Sequence, residues 1–136
     1  MYDEKIAIVL INDLLVWQKL NIVAFLSSSV AIEFPQTHGK NFVDASNRKY
    51  LPFIKHPMMI FKADSPEEMR KAFSKAKDRN LAVGIYTKPL FATKNEEQNL
   101  EIISRTEEGK HDLVGLMLFG NRKEVDKAIK GLKLHD

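Results

Sequence analysis

The chain has 136 residues, 44% of them hydrophobic and 29% charged, with 21 basic against 18 acidic side chains for a net charge of +3. That is the size and balance of one soluble globular domain spanning residues 1–136, and so small a charge does not by itself signal nucleic-acid binding. There is no cysteine, which excludes disulfides, thiolate nucleophiles and thiolate metal sites. No apolar run approaches the roughly 20 residues of a membrane helix, and the acidic Met1-Tyr2-Asp3-Glu4 opening is unlike a signal peptide, so a cytoplasmic location is expected.

Residues 5–11 (KIAIVLI) form a nearly continuous aliphatic run, the pattern of a strand buried on both faces. Residues 16–32 are free of Gly and Pro and too long for a strand, so they read as a helix. It is apolar on most of its circumference, which predicts a buried helix, with Gln18, Asn21 and Ser28 sharing one side around Phe25. Pro35 ends it. Residues 36–55 show no sustained period apart from a small hairpin suggested around residues 46–48.

Residues 58–62 predict a second strand. Ser65-Pro66-Glu67-Glu68 then gives a helix start with serine at the N-cap, proline at the first helical position and glutamate completing a capping box. Met69, Ala72, Phe73 and Ala76 supply its core stripe, and Asn80 closes it in a left-handed conformation. Residues 81–86 (LAVGIY) predict a third strand. The polar connection 87–111 holds a short helix over 96–105, with Leu100 and Ile103 inward. Residues 113–119 predict a fourth strand. Asn121 caps a last helix with Val125, Ile129 and Leu132 inward, ending near Gly131. Strands alternating with helices predict a three-layer α/β/α sandwich around a small mixed four-stranded sheet, with right-handed crossovers.

Metal and nucleotide motifs are not expected. His38, His56, His111 and His135 show no ligand spacing, and Gly115-Leu-Met-Leu-Phe-Gly120 places apolar strand where a phosphate loop needs polar turn residues. No metal and no cofactor are expected. Asn121, Arg122 and Lys123, at a helix start beside Gly120, form a candidate anion site. Lys123, Lys127 and Lys130, extended by Lys133, make a basic stripe that reads as a solvated helix face, so no sequence-specific nucleic-acid binding is expected.

The leading candidate site follows the first strand. Ligands of open α/β sheets bind beyond the carboxyl ends of strands, where Asp13, Gln18 and Asn21 lie and Trp17 offers a stacking wall. Gln18 and Asn21 also have the plain alternative of satisfying backbone groups. The polar loop 91–99 adds donors and acceptors from Thr93, Asn95, Glu96 and Asn99, of which Thr93 or Asn95 can instead cap the short helix.

Asp13-Leu14 followed by Gln18-Lys19-Leu20-Asn21, then Phe91-Ala92-Thr93 running to Asn99, then Asp112-Leu113-Val114-Gly115-Leu116 with Gly120, Val125-Asp126-Lys127, Lys130-Gly131 and Lys133-Leu134-His135, together resemble an uncharacterised bacterial family whose fold is similar to peptidyl-tRNA hydrolase II. The resemblance implies that fold. It also motivates a hydrolase reading, with Asp13 orienting a water or a base and Lys19 or Lys88 stabilising developing negative charge. Gln18 and Leu20, however, stand where those hydrolases carry lysines, and Tyr86-Thr87-Lys88-Pro89 stands where they carry an acidic residue and a threonine-glycine pattern. The sequence therefore favours binding of a small polar or phosphate-bearing ligand without hydrolase chemistry. The hydrolase reading and a symmetric homodimer joined by an apolar helix face stay as alternatives.

Overall fold

The computed structural model describes residues 2–136. Strand β1 (Glu4–Ile11) is the centre of a mixed sheet, because its alternating side chains are apolar on both sides. Helix α1 (Val16–Glu33) follows, then a 3-10 turn (Pro35–Thr37) and a small hairpin, β2 (Phe42–Val43) with β3 (Lys49–Tyr50). After these come β4 (Met58–Ala63), α2 (Pro66–Asp78), β5 (Ala82–Thr87), a second 3-10 turn (Lys88–Ala92), α3 (Glu96–Ser104), β6 (Leu113–Asn121), α4 (Arg122–Ala128) and β7 (Lys133–Leu134). The strand order is β5-β6-β1-β4-β7. β4 runs parallel to β1, whereas β6 runs antiparallel to both β1 and β5.

Two cores lie on opposite faces of this sheet. Ile6, Ile8 and Leu10 meet Ile22, Leu26 and Val30 of α1 on one side. Ala7 and Val9 meet Met69, Ala72 and Ala76 of α2 and Val125 and Ala128 of α4 on the other. Gly115 sets the closeness of the first contact, since a Cβ there would stand 2.4 Å from Ile22 Cγ2.

Several local expectations are met by explicit bonds. Ser65 Oγ accepts from the Glu68 amide at 3.2 Å, and Asn80 is left-handed at φ 57°. The Glu68 carboxylate, however, accepts from the Asp64 amide at 3.3 Å, one residue before the cap.

Four expectations need correction. The sheet has five strands, not four. Gly131, at φ 94°, turns the chain after α4 so that β7 pairs antiparallel with β4, Leu134 opposite Phe61 and Lys133 opposite Lys62. Two residues are too few to show a strand period. Helix α4 accordingly stops at Ala128, which carries Lys130 and Lys133 off the helix and breaks up the basic stripe.

Helix α1 is not buried all round. One helix on one sheet face covers a single stripe, Ile22, Leu26 and Val30, and leaves Val16, Trp17, Leu20, Phe25 and Ile32 exposed, Ile32 at 79%. In α3, Leu100 points outward and Ile102 and Ile103 take the half-buried positions. No helix among the described residues is long and apolar enough to cross a membrane.

Candidate functional site

The parallel strands β1, β4 and β5 all end at the same edge of the sheet, where α1 begins. Beside the end of β5, α1 and the 88–99 segment enclose a cleft of about 590 Å³. Trp17, Asn21 and Phe25 line it from α1 and Tyr86 from β5, while Phe91, Thr93, Lys94, Asn95, Glu96 and Asn99 close it from the loop and the start of α3. Residues 17, 21 and 25 share a helical face at spacing four, and that face is the part of α1 the sheet does not cover.

The apolar wall is an aromatic chain. Trp17 meets Phe91 edge-on at 5.8 Å, Phe91 meets Tyr86 at 5.1 Å, and Tyr86 stacks with Phe25 at 6.1 Å. Burial raises the pKa of the Tyr86 phenol above its ordinary value.

The polar wall is held by local bonds. Asn95 caps α3 through Oδ1, which accepts from the Gln98 amide at 2.9 Å, and the Gln98 side chain accepts from the Lys94 amide at 2.8 Å. The Asn95 NH2 is left over. The Thr93 hydroxyl reaches the Leu90 carbonyl at 2.9 Å and also touches the Asn99 amide. One hydroxyl proton cannot serve two carbonyl oxygens, so the pair is satisfied when the Asn99 NH2 donates to Thr93 and its oxygen faces outward. Among the described residues Lys94 and Glu96 are the only charged ones in the lining, one of each sign.

Of the residues expected at the site, Trp17, Asn21, Thr93, Asn95, Glu96 and Asn99 come together here, and Asp13 and Gln18 do not. Gln18 takes its plain role: Oε1 accepts from the Leu15 amide at 3.1 Å at the start of α1. Asp13 is exposed outside the cleft. Lys19 leaves on another side of α1, with its ammonium 3.2 Å from Asn12 Oδ1 and 3.0 Å from His135 Nε2. Lys88 is exposed on the turn after β5. Asp13, Lys19 and Lys88 thus all lie outside the lining of this cleft.

At the expected anion site, the Asn121 side chain, the Lys123 amide, and the Arg122 amide and Nε are already engaged. Asn121 Oδ1 accepts from the amides of Lys123 and Glu124, and the Arg122 amide and Nε donate to the carbonyls of Asp3 and Tyr2. Sequence reasoning missed Phe25, Tyr86, Leu90 and Phe91 as cleft residues, and the Lys19–His135 contact. Tyr86 ends a buried strand and looks like core, and nothing in the spacing of residues 19 and 135 brings them together.

Among the described residues no group of three His, Asp or Glu side chains is placed to hold a metal ion. A solved structure titled as a protein of unknown function, Atu0240 from Agrobacterium tumefaciens strain C58, is similar over 100% of both chains, with 34% identity and a TM-score of 0.95. No curated protein matches the chain. A family model described as protein of unknown function (DUF2000) matches residues 4–136, and the chain belongs to that family.

Proposed function

We propose that this protein binds a small polar ligand in the cleft between α1 and the 88–99 segment, without hydrolysing it. The observation that carries this is the pairing of one aromatic wall, Trp17, Phe25, Tyr86 and Phe91, with one amide and hydroxyl wall, Asn21, Thr93, Asn95 and Asn99. Apolar walls with a few placed polar groups are the usual build of a small-molecule site. A flat ligand with donors and acceptors along one edge fits such walls. A phosphate group finds one lysine, Lys94, offset by Glu96, so the ligand is favoured to be uncharged or zwitterionic.

Chemistry on the ligand is disfavoured because Asp13, Lys19 and Lys88 each lie outside the lining. A peptidyl-tRNA hydrolase II-like arrangement belongs to the same proposal, supported by helices on both faces of the mixed sheet and by Asp13-Leu14 one residue beyond the first strand.

Trp17 is the only tryptophan in the chain, so intrinsic fluorescence reports on this cleft directly. Nucleosides, nucleotides, sugar phosphates and amino acids are titrated while Trp17 emission and melting temperature are followed. At [L] near 100 Kd a true ligand stabilises the fold by about 2.7 kcal/mol. A ligand whose binding survives Asn21→Ala combined with Asn99→Ala places the site elsewhere.

A further inference from the structure

The sheet has two unlike edges. β7 closes one with two residues and carries Lys133 there. β5 forms the other with Ala82-Val-Gly-Ile-Tyr-Thr87, which has no charged residue and no proline. Edge strands are normally protected by charge, proline, a bulge or a covering element, because an unpaired row of N–H and C=O groups templates further pairing. Among the described residues the only such device on β5 is a register shift at Tyr86/Thr87, which leaves Ala82 to Tyr86 regular.

We propose that two copies of this chain associate through β5, antiparallel and edge to edge about a two-fold axis near Gly84, making one continuous sheet. A strand meeting itself antiparallel is self-complementary in its backbone hydrogen bonds, as a two-fold interface requires.

The surroundings of β5 select a second copy over other partners. Helix α1 runs antiparallel to β5: its end, Ile32 and Glu33, lies by Ala82–Gly84, and its start, Trp17 and Asn21, lies by Tyr86. Antiparallel self-pairing therefore brings the Ile32–Glu33 end of one copy to the Lys88–Lys94 end of the other, twice by symmetry. Glu33, Lys88 and Lys94 are all exposed, and none has an ion-pair partner among the described residues. The charges are opposite and meet only in the pair. Ile32, 79% exposed, and Phe25, 61% exposed, supply apolar surface along the same side of α1. The association also sets Ile32 and Glu33 of the second copy at the rim of the aromatic cleft, although the interface does not depend on the cleft holding a ligand.

The test is sedimentation equilibrium on the full chain from micromolar to submillimolar concentration. The expected species has twice the 15.6 kDa mass of one chain. Ile32→Lys and Glu33→Lys, both at exposed positions, each weaken it at least about tenfold, equivalent to about 1.4 kcal/mol. Combining Glu33→Lys with Lys88→Glu and Lys94→Glu restores it. Hydrogen exchange at residues 82–86 slows as concentration rises. A monomer throughout, or a dimer indifferent to both single variants and without concentration-dependent protection of β5, overturns the proposal.

Discussion

Gly115 in β6 faces Ile22 in α1 so closely that a methyl group on it would lie 2.4 Å from Ile22 Cγ2, inside any real carbon–carbon contact. Ile22 is fully buried and cannot swing aside. The distance between sheet and α1, and with it the position of Trp17, Asn21 and Phe25 over the end of β5, rests on this one missing side chain. Gly115→Ala is expected to destabilise the fold by about 1–3 kcal/mol through overpacking, with a change in Trp17 emission. Denaturant titration followed at 222 nm and by fluorescence checks both.

The cleft residues are expected to behave in the opposite way. Trp17 and Phe25 are 51% and 61% exposed, so Phe25→Ala is predicted to change unliganded stability by about 1 kcal/mol or less while abolishing ligand-induced stabilisation. Melting curves with and without the best ligand from the screen separate the two effects. Equal loss in both conditions contradicts a binding role for Phe25.

Arg79, closing α2, donates to Glu124 of α4 at 3.0 Å. That hydrogen bond, followed by the charge of Lys127, holds the Glu124 carboxyl below its ordinary pKa. A lowered folded-state pKa gives stability that is present above the unfolded value and lost as pH falls through the folded one. Glu124→Gln is therefore expected to lower the melting temperature at neutral pH, with the deficit shrinking as pH drops through the carboxylate range. Both side chains are about one-third exposed, so the effect is modest and weakens with salt. A deficit that is constant with pH rules out the ion pair as its source.

Lys19 ties α1 to the segment after β1 and to the C-terminal segment, its ammonium donating toward Asn12 Oδ1 and His135 Nε2. For Nε2 to accept, the ring proton sits on Nδ1, 3.2 Å from the Asp136 carbonyl oxygen. Lys19→Met removes the donor and is expected to speed hydrogen exchange at Lys133 and Leu134 several-fold while leaving β1 unchanged. If exchange in β7 does not change, pairing with β4 alone holds that strand.

Much of the architecture is local and therefore legible in the chain. The aliphatic run of β1, the Ser65-Pro66 start of α2, the left-handed Asn80 and the Asn121 cap each depend on the sterics or hydrogen bonding of a few consecutive residues. The polar run from Thr93 to Asn99 and the nearness of Trp17 and Asn21 on one helix are visible in the same way, whereas Phe25, Tyr86 and Phe91 join them only in the fold. β7 is too short for any periodicity, and it exists because β4 offers an open edge where Gly131 turns the chain.

The outward face of α1 is not legible in the sequence for a related reason. Composition reports how apolar a helix is, but only the packed layers decide how much of it another element covers, here Ile22, Leu26 and Val30. The division of polar residues likewise waits on the fold. Gln18 and Asn21 are three apart on one helix, yet Gln18 is drawn to the Leu15 amide at the helix end and Asn21 is left facing the cleft. Sequence determined which side chains lie near one another along each element. Long-range pairing, which joins residue 10 to 115 and residue 19 to 135, decided which of them share a site.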